Sequence, residues 1–405
     1  MTTSINKQVG CIFLIIGTSL GGGILAIPMI LSYFGILIGC IIMFLMWLLM
    51  TYSTLAVAEA CLHFEKGISY LGLAHKLFRK PGIILVYICA FGILYGMLAA
   101  YISAIGASFE SLLDVNYIII EICFVIIFGG FILKGTGHAE WLNRLFLTLK
   151  LIIILFTIIQ LFKSVQLENL DKYGFSNFKE LIIALPILAT TFSAHIIVPT
   201  VVSYVGPHSK DIRRIIMIAS LIILLIYTCW IIAIFGNIAI YGNKNSFAAI
   251  LSGSLSSEDS VTQLIYILKA NIKSHEIITL IYSFISISVT TAFITLSLAL
   301  KDLILDRFKM NSLSNINKNI LLGFLLFILP IVLNYYFKQL FLIALSVVGL
   351  FSLIMLVSCP LNMVRILRNK NYKLIYSSMR NKILNVVALT IAIVIIIFQV
   401  ISYLL

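Results

Sequence analysis

The sequence predicts an all-α polytopic membrane protein of 11 transmembrane helices, arranged as a five-plus-five inverted repeat in which helices 1 and 6 are discontinuous. Three observations carry this expectation. Hydrophobic residues make up 61% of the 405 positions and charged residues 11%, with a mean hydropathy of +1.14, outside the range of soluble globular domains. Apolar runs of about 17 to 25 residues, long enough to cross a bilayer as helix, recur along the whole chain. Two of these runs, in corresponding positions of the two halves, are interrupted by glycine and hydroxyl residues.

The first span covers residues 9–34 and centres on Gly17-Thr18-Ser19-Leu20-Gly21-Gly22-Gly23. Apolar residues lead in from Cys11 to Ile16 and out from Ile24 to Pro28. At about 1.5 Å per residue the segment exceeds a roughly 30 Å hydrocarbon core as one straight helix. Glycine weakens a helix, and freed backbone N–H and C=O groups are tolerated in lipid only where they line a cavity or bind something. The stretch therefore reads as a binding site made of backbone. Close packing between helices is the structural alternative, because Gly17 and Gly21 have the required spacing. A phosphate loop fits poorly, since no strand precedes it and the lysine is missing. The run is also too long for a signal peptide and lacks a small-x-small cleavage site.

A second copy raises the functional reading. Pro-Met-Ile-Leu-Ser-Tyr-Phe-Gly runs from Pro28 to Gly35, and Pro-Thr-Val-Val-Ser-Tyr-Val-Gly runs from Pro199 to Gly206. Just upstream of the second copy, Thr190-Thr191-Phe192-Ser193-Ala194-His195 interrupts another apolar span. Paired interruptions of this kind point to the binding site of a secondary transporter.

Taken in order, the expected spans are residues 9–34, 36–60, 82–109, 117–133, 145–162, 180–205, 215–237, 276–300, 319–336, 340–360 and 384–404. The formal charge of +13 would suggest nucleic acid in a soluble chain, but topology places these charges and no nucleic acid is expected. With a cytoplasmic N-terminus, 20 of the 28 Lys and Arg residues fall on the cytoplasmic side and seven outside, with Lys150 inside a span. That distribution follows the positive-inside rule and puts the C-terminus outside. The two interrupted helices then run in opposite directions, as an inverted repeat requires. The expected units are 1–163 and 164–362 for the two repeats, and 363–405 for a cytoplasmic loop with the last span. An external loop at 238–275 contains Thr262 to Ile272, which could lie along the membrane surface, as could Leu62 to Lys80 on the cytoplasmic side.

Lys150 sits six residues into its span, and charges at such depth are expensive and usually functional. Its ammonium would take the place of a sodium ion beside carbonyls freed in the first broken helix, and would couple transport to protons. Snorkelling to the headgroups is the alternative. His195 reads as a donor to substrate, as a proton relay, or as a buried tie between two helices. Thr290 and Thr291, with Ser286 and Ser288 a turn earlier, offer hydroxyls to an ion or to the first helix, although such hydroxyls usually bond their own backbone. Tyr101 is placed to face the cavity, and Glu59 and Glu110 read as interfacial. Seven cysteines lie in or beside apolar runs without metal-ligand spacing. The absence of a metal cluster, nucleophile–base pair or paired carboxylate argues against an enzyme, and two local interruptions in otherwise apolar helices argue against a channel.

Several stretches resemble the bacterial aromatic amino acid permeases, the tyrosine and tryptophan carriers within the amino acid, polyamine and organocation superfamily. They are Gly17 to Pro28, Ala99 to Ser103, Asn143-Arg144-Leu145-Phe146 leading to Lys150, and Ala184-Leu185-Pro186 through Thr191, Phe192 and His195 to Pro199 and Ser203-Tyr204. The resemblance covers essentially the whole chain, and the tyrosine carriers look closest. It implies a LeuT-type fold importing L-tyrosine, or another aromatic or neutral amino acid, with protons across the bacterial inner membrane. No cofactor and no obligate protein partner is implied, only membrane lipid. The alternative is a sodium-coupled or serine/threonine-type carrier of the same fold. The expected substrate site comprises Thr18, Ser19, Gly21, Gly22, Gly23, Tyr101, Thr190, Thr191, Phe192, Ser193, Ala194 and His195, with Lys150, Thr290 and Thr291 for coupling. The chain departs from the family pattern at Ser193 and Ile196, where glycine is common, and at Ala194, where a larger residue is common.

Overall fold

The computed structural model describes residues 4–113, 115–134, 136–170, 178–241, 245–248, 260–272, 274–307, 315–337 and 340–404. Every regular element among them is helical. The chain opens with α1 (Ile5–Ser19), a 3₁₀ turn (Gly22–Leu25) and α2 (Ala26–Leu31). The glycines break the expected first span here, and its two pieces meet at 57°. Then come α3 (Gly35–Cys61), α4 (Tyr70–Leu77), α5 (Lys80–Leu113), α6 (Tyr117–Lys134) and α7 (Thr136–Phe162). The second interrupted span appears as α8 (Phe178–Thr191) and α9 (Val198–Val205), separated by six residues without helix. The chain continues with α10 (Ser209–Asn237), α11 (Ser260–Asn271), α12 (His275–Arg307), α13 (Asn315–Tyr336) and α14 (Leu340–Ser352). A π-helical turn (Leu353–Ser358) leads into α15 (Cys359–Asn369), followed by α16 (Ser377–Arg380) and α17 (Lys382–Leu404).

Among the described residues, eight helices are long and apolar enough to cross a membrane, and the bent pair α1–α2 makes a ninth. The fourth and sixth expected spans contribute shorter apolar helices, Tyr117–Leu133 and Glu180–Thr191. This is a multi-pass membrane protein. The two copies of the repeated motif have matching backbones at their ends: Gly35 has φ 72° and Gly206 φ 83°. Both glycines adopt the left-handed conformation that side chains resist, turning the chain from a short half-helix into the next long one.

The bundle is held by α12 against α5 and α7, α14 against α5 and α8, α1 against α10, and α10 against α3. The two stretches expected along the membrane surface pack on the bundle. In α11, Leu264, Ile265, Ile267 and Leu268 are buried, and α11 lies against α5 and α14. In α4, Tyr70 is buried and its hydroxyl donates to Met355 O in the π-helical turn. Lys172, Lys244, Lys273, Lys309, Lys338 and most of the external loop lie outside the described residues, as do the side chains of Lys134, Asn143, Arg144 and Lys179.

Glu59, expected near the interface, is 0% exposed. Its Oε1 accepts from Ile375 N at 2.7 Å and its Oε2 from Tyr376 N at 2.8 Å, while His63 Nε2 stands 2.9 Å from Oε1. The segment after α15 folds over the end of α3 and shields the carboxylate. Burial, and then the Glu59 charge, push the Tyr376 phenol above its usual range.

Close helix contacts make one glycine a test of the packing. A Cβ on Gly349 of α14 would stand 2.5 Å from Pro186 Cβ in α8 and closer still to the Pro186 carbonyl. Because backbone cannot yield as a side chain does, Gly349→Ala should destabilise the protein by about 1–3 kcal/mol. Gly130→Ala, with nothing within 4 Å of its Cβ, should not. Thermal unfolding of both variants in detergent checks this, and equal midpoints would refute the contact.

Candidate functional site

The first break is built against Tyr101. Past Ser19, Gly21 is extended and the 3₁₀ turn begins. A Cβ on Gly21 would lie 2.9 Å from the Tyr101 hydroxyl, and one on Gly22 2.6 Å from the ring carbon Cε1. The glycines are thus required by the approach of a buried aromatic ring, in addition to any helix-breaking role. The phenol oxygen faces the backbone N–H groups of Gly22 and Gly23, the first two of the 3₁₀ turn and hence ones that a helix start leaves without partners. Gly17 approaches a different helix, its Cβ position lying 2.6 Å from Leu147 Cγ of α7.

The second break meets the first. A Cβ on Gly23 would touch Thr191 Cγ2 at 3.0 Å. Tyr227 of α10 shares its hydroxyl proton between Ser19 O at 2.9 Å and Thr191 O at 3.0 Å. These are the terminal carbonyls of α1 and α8, which the helices themselves leave free. Phe192 packs edge-on against the same tyrosine, with ring centroids 5.3 Å apart. One phenol therefore joins both interruptions.

Most hydroxyls expected at the site are already donating to their own backbone. Thr18 bonds Ile15 O at 2.9 Å, Thr190 bonds Ile187 O at 2.7 Å, Thr191 bonds Leu188 O at 2.8 Å and Ser193 bonds Thr190 O at 2.6 Å. Thr18 is exposed and Ala194 is buried. In α12, Thr291 donates to Ile287 O, and Thr290 lines a separate apolar pocket with Phe109, Phe124 and Phe146. It is Ser288 that reaches the first break, its hydroxyl 3.4 Å from Leu20 O.

Lys150 is 1% exposed, and its Nζ donates to Gly17 O at 3.0 Å. Because α7 begins at Thr136, well before the expected span, Lys150 lies about 21 Å from the helix start and its side chain turns inward. The ammonium sits at the negative end of α1, where a cation is favoured. No carboxylate pairs with it among the described residues.

His195 lies between α8 and α9, with Nε2 2.6 Å from Ser53 Oγ and 3.3 Å from Thr54 Oγ1 of α3. The histidine thus ties the second break to α3. Two buried polar atoms at the breaks, Ser19 Oγ and His195 Nδ1, have no hydrogen-bond partner among the described residues. A cavity of about 1030 Å³ approaches from the side of Lys7 and Lys66 and is lined by Ile93, Leu94, Ile196, Pro199, Tyr204 and Asp302, among others. Gly21, Gly22, Gly23, Tyr101 and Thr191 do not line it. Ile196, next to His195, marks where the cavity reaches the second break.

Tyr227, Ser53, Thr54 and Glu121 were missed in the sequence. Glu121 is 2% exposed in α6, and its Oε1 would stand 2.8 Å from a Cβ on Gly106. A lone acidic residue within an apolar run was its legible signal. Tyr227, one of 18 tyrosines, carried none.

Buried polar groups gathered where two interrupted helices meet define a polytopic membrane transporter. Residues 4–399 match the tryptophan/tyrosine permease family, and the chain belongs to it. It is 28% identical to tyrosine-specific transport system 1 of Haemophilus influenzae, over 89% of this chain and 88% of that protein. It is 26% identical to glutamine transporter 2 of Aliivibrio fischeri over 92% of both chains. Identity to the low affinity tryptophan permease of Escherichia coli is 28%, over 78% of this chain and 77% of the relative.

If Tyr227 joins the breaks as described, Tyr227→Phe leaves two buried carbonyls without that donor and lowers stability by about 1–3 kcal/mol. Thermal unfolding in detergent measures this, and an unchanged midpoint would remove the tyrosine from the account.

Proposed function

We propose that the chain is a secondary active transporter that imports an aromatic amino acid, tyrosine first among them, by proton symport with alternating access. The observation that carries the coupling assignment is the Lys150 ammonium on Gly17 O at 3.0 Å. It stands where a sodium ion would otherwise meet the freed carbonyls, so sodium coupling has less to support it. Tyrosine is favoured by the tyrosine-specific relative, and tryptophan is the aromatic alternative by the same kind of argument. Glutamine is a second substrate reading, favoured by the similarly related glutamine transporter.

In this reading the substrate carboxylate takes the N–H groups of Gly21 to Gly23 at the positive end of the second half-helix. The Tyr101 phenol oxygen faces two of those groups now, so loading displaces it. Carbonyls of Thr190 to Ser193 take the ammonium, each retaining acceptor capacity beyond its present bond. The side chain lies among Phe192, Ser193, Ala194 and Tyr101, beside His195. Thr18 contributes through its backbone, since its hydroxyl is committed to α1. Thr290 and Thr291 act no closer than through the packing of α12.

The architecture proposed is the 11-helix LeuT-type inverted repeat, with units 1–163, 164–362 and 363–405. The shared left-handed glycines Gly35 and Gly206 and the two broken segments support it. The lysine and arginine distribution supports a cytoplasmic N-terminus and a periplasmic C-terminus in a bacterial inner membrane. The cavity at Lys7 and Lys66 then faces the cytoplasm, making this an inward-facing conformation.

Uptake of labelled tyrosine into proteoliposomes under separately imposed proton and sodium gradients tests the function. Proton-driven uptake should occur and should fall to the level of empty vesicles in Lys150→Ala; uptake driven by sodium alone would discard the coupling assignment. Gly22→Leu, whose Cβ would meet the Tyr101 ring at 2.6 Å, keeps its N–H but pushes the turn out of place, and should weaken tyrosine binding by roughly a hundredfold as the carboxylate's donors are misaligned. Binding that survives it would sink the backbone site.

A further inference from the structure

His195 has one nitrogen committed and one without a partner. Its ring is 0% exposed. Nε2 contacts the hydroxyls of Ser53 and Thr54, and each hydroxyl has Met50 O within reach of its single proton, at 3.1 Å and 2.7 Å. One arrangement gives every proton an acceptor: both hydroxyls donate to Met50 O, and Nε2–H donates to the hydroxyl oxygens. With the proton on Nδ1, the Nε2 lone pair would face the lone pairs of Thr54, and a buried N–H would stand unsatisfied. The tautomer assigned from this network carries its proton on Nε2, which leaves Nδ1 as a bare acceptor without a partner among the described residues. A buried acceptor in that state is destabilising until a donor arrives.

Its surroundings narrow the kind of donor. The next residue, Ile196, lines the cavity, and the preceding residues Phe192, Ser193 and Ala194 are those assigned to the substrate side chain. We infer that His195 Nδ1 accepts a hydrogen bond from the substrate's side chain, so that the site selects amino acids whose side chains carry an O–H or N–H donor. This rests on the substrate position proposed above and adds a substrate class to it. Tyrosine offers a phenol O–H, tryptophan an indole N–H and glutamine an amide N–H, whereas phenylalanine offers none. The apolar wall alone would hardly separate tyrosine from phenylalanine, but a site built to pair a buried polar group rejects the analogue that leaves it unpaired. Ser53 and Thr54 act as positioning residues that hold the proton on Nε2.

The test is equilibrium binding to the purified full-length chain of two nearly isosteric pairs: tyrosine with phenylalanine, and tryptophan with 3-benzothienylalanine, in which sulfur replaces the indole N–H. The donor-bearing member of each pair should bind roughly tenfold to a hundredfold more tightly. In His195→Leu that gap should close to less than about threefold, chiefly by weaker binding of the donor-bearing member. The double variant Ser53→Ala, Thr54→Val keeps the imidazole but frees its tautomer, so it should narrow the gap even if His195→Leu does not fold. Equal affinities within the pairs in the unaltered chain, or a gap retained in either folded variant, would overturn the inference. Failure of the site reading has a different signature: Gly22→Leu would then leave both members of each pair bound. Binding of none of the four compounds would overturn the aromatic substrate reading and this inference with it.

Discussion

Breaking a helix inside a membrane protein frees backbone groups that neither lipid nor a distant solvent can satisfy, and this structure is arranged around that requirement. The chain interrupts two helices, ending α1 at Ser19 and α8 at Thr191. Some freed groups bond within the break, as Gly21 N does to Ser19 O at 2.8 Å, and others need partners from elsewhere. Tyr227 takes the terminal carbonyls of both half-helices, Lys150 takes Gly17 O, and Ser288 approaches Leu20 O. The partners come from α10, α7 and α12. A break that began as a local weakness in one segment therefore recruits three other helices and sets how they pack.

The same requirement explains the glycines. Gly21 and Gly22 have no room for a Cβ because Tyr101 lies against them, and its phenol oxygen faces N–H groups that no helix supplies with acceptors. Gly17 instead admits Leu147, which is the close packing that its spacing with Gly21 also suggested. Room for a buried ring and room for a neighbouring helix are both present in the stretch, divided between nearby residues. Among the buried polar atoms without partners in the described residues, Ser19 Oγ and His195 Nδ1 lie at the two breaks.

Much of the fold was legible because hydropathy, glycine and proline act locally. The long apolar runs became helices, and both interruptions appear where glycines or clustered hydroxyls break the apolar pattern. The side chains were less legible. Of the hydroxyls that looked available in α12, Thr290 lines an apolar pocket and Thr291 bonds its own turn, while Ser288 reaches the break. A helix rotates about 100° per residue, so a shift of two positions changes the face, and apolar residues on all sides of a membrane helix give no pattern from which to read that rotation. Glu59 was read as interfacial from its place near a helix end, but a segment more than 300 residues later folds over it, with Ile375 and Tyr376 donating to its carboxylate.

The sequence by itself determined that the chain is a helical, multi-pass membrane protein with two interrupted segments and a lysine within an apolar run. Those properties follow from the residues' own transfer energies and conformational preferences. Only the tertiary structure decided that the two interruptions meet through one tyrosine, that Lys150 finds the Gly17 carbonyl rather than the surface, and that His195 leaves one nitrogen bare. Each of these depends on which face of a helix turns toward a neighbour distant in sequence, and that is set by the packing of the whole bundle rather than by any local run of residues.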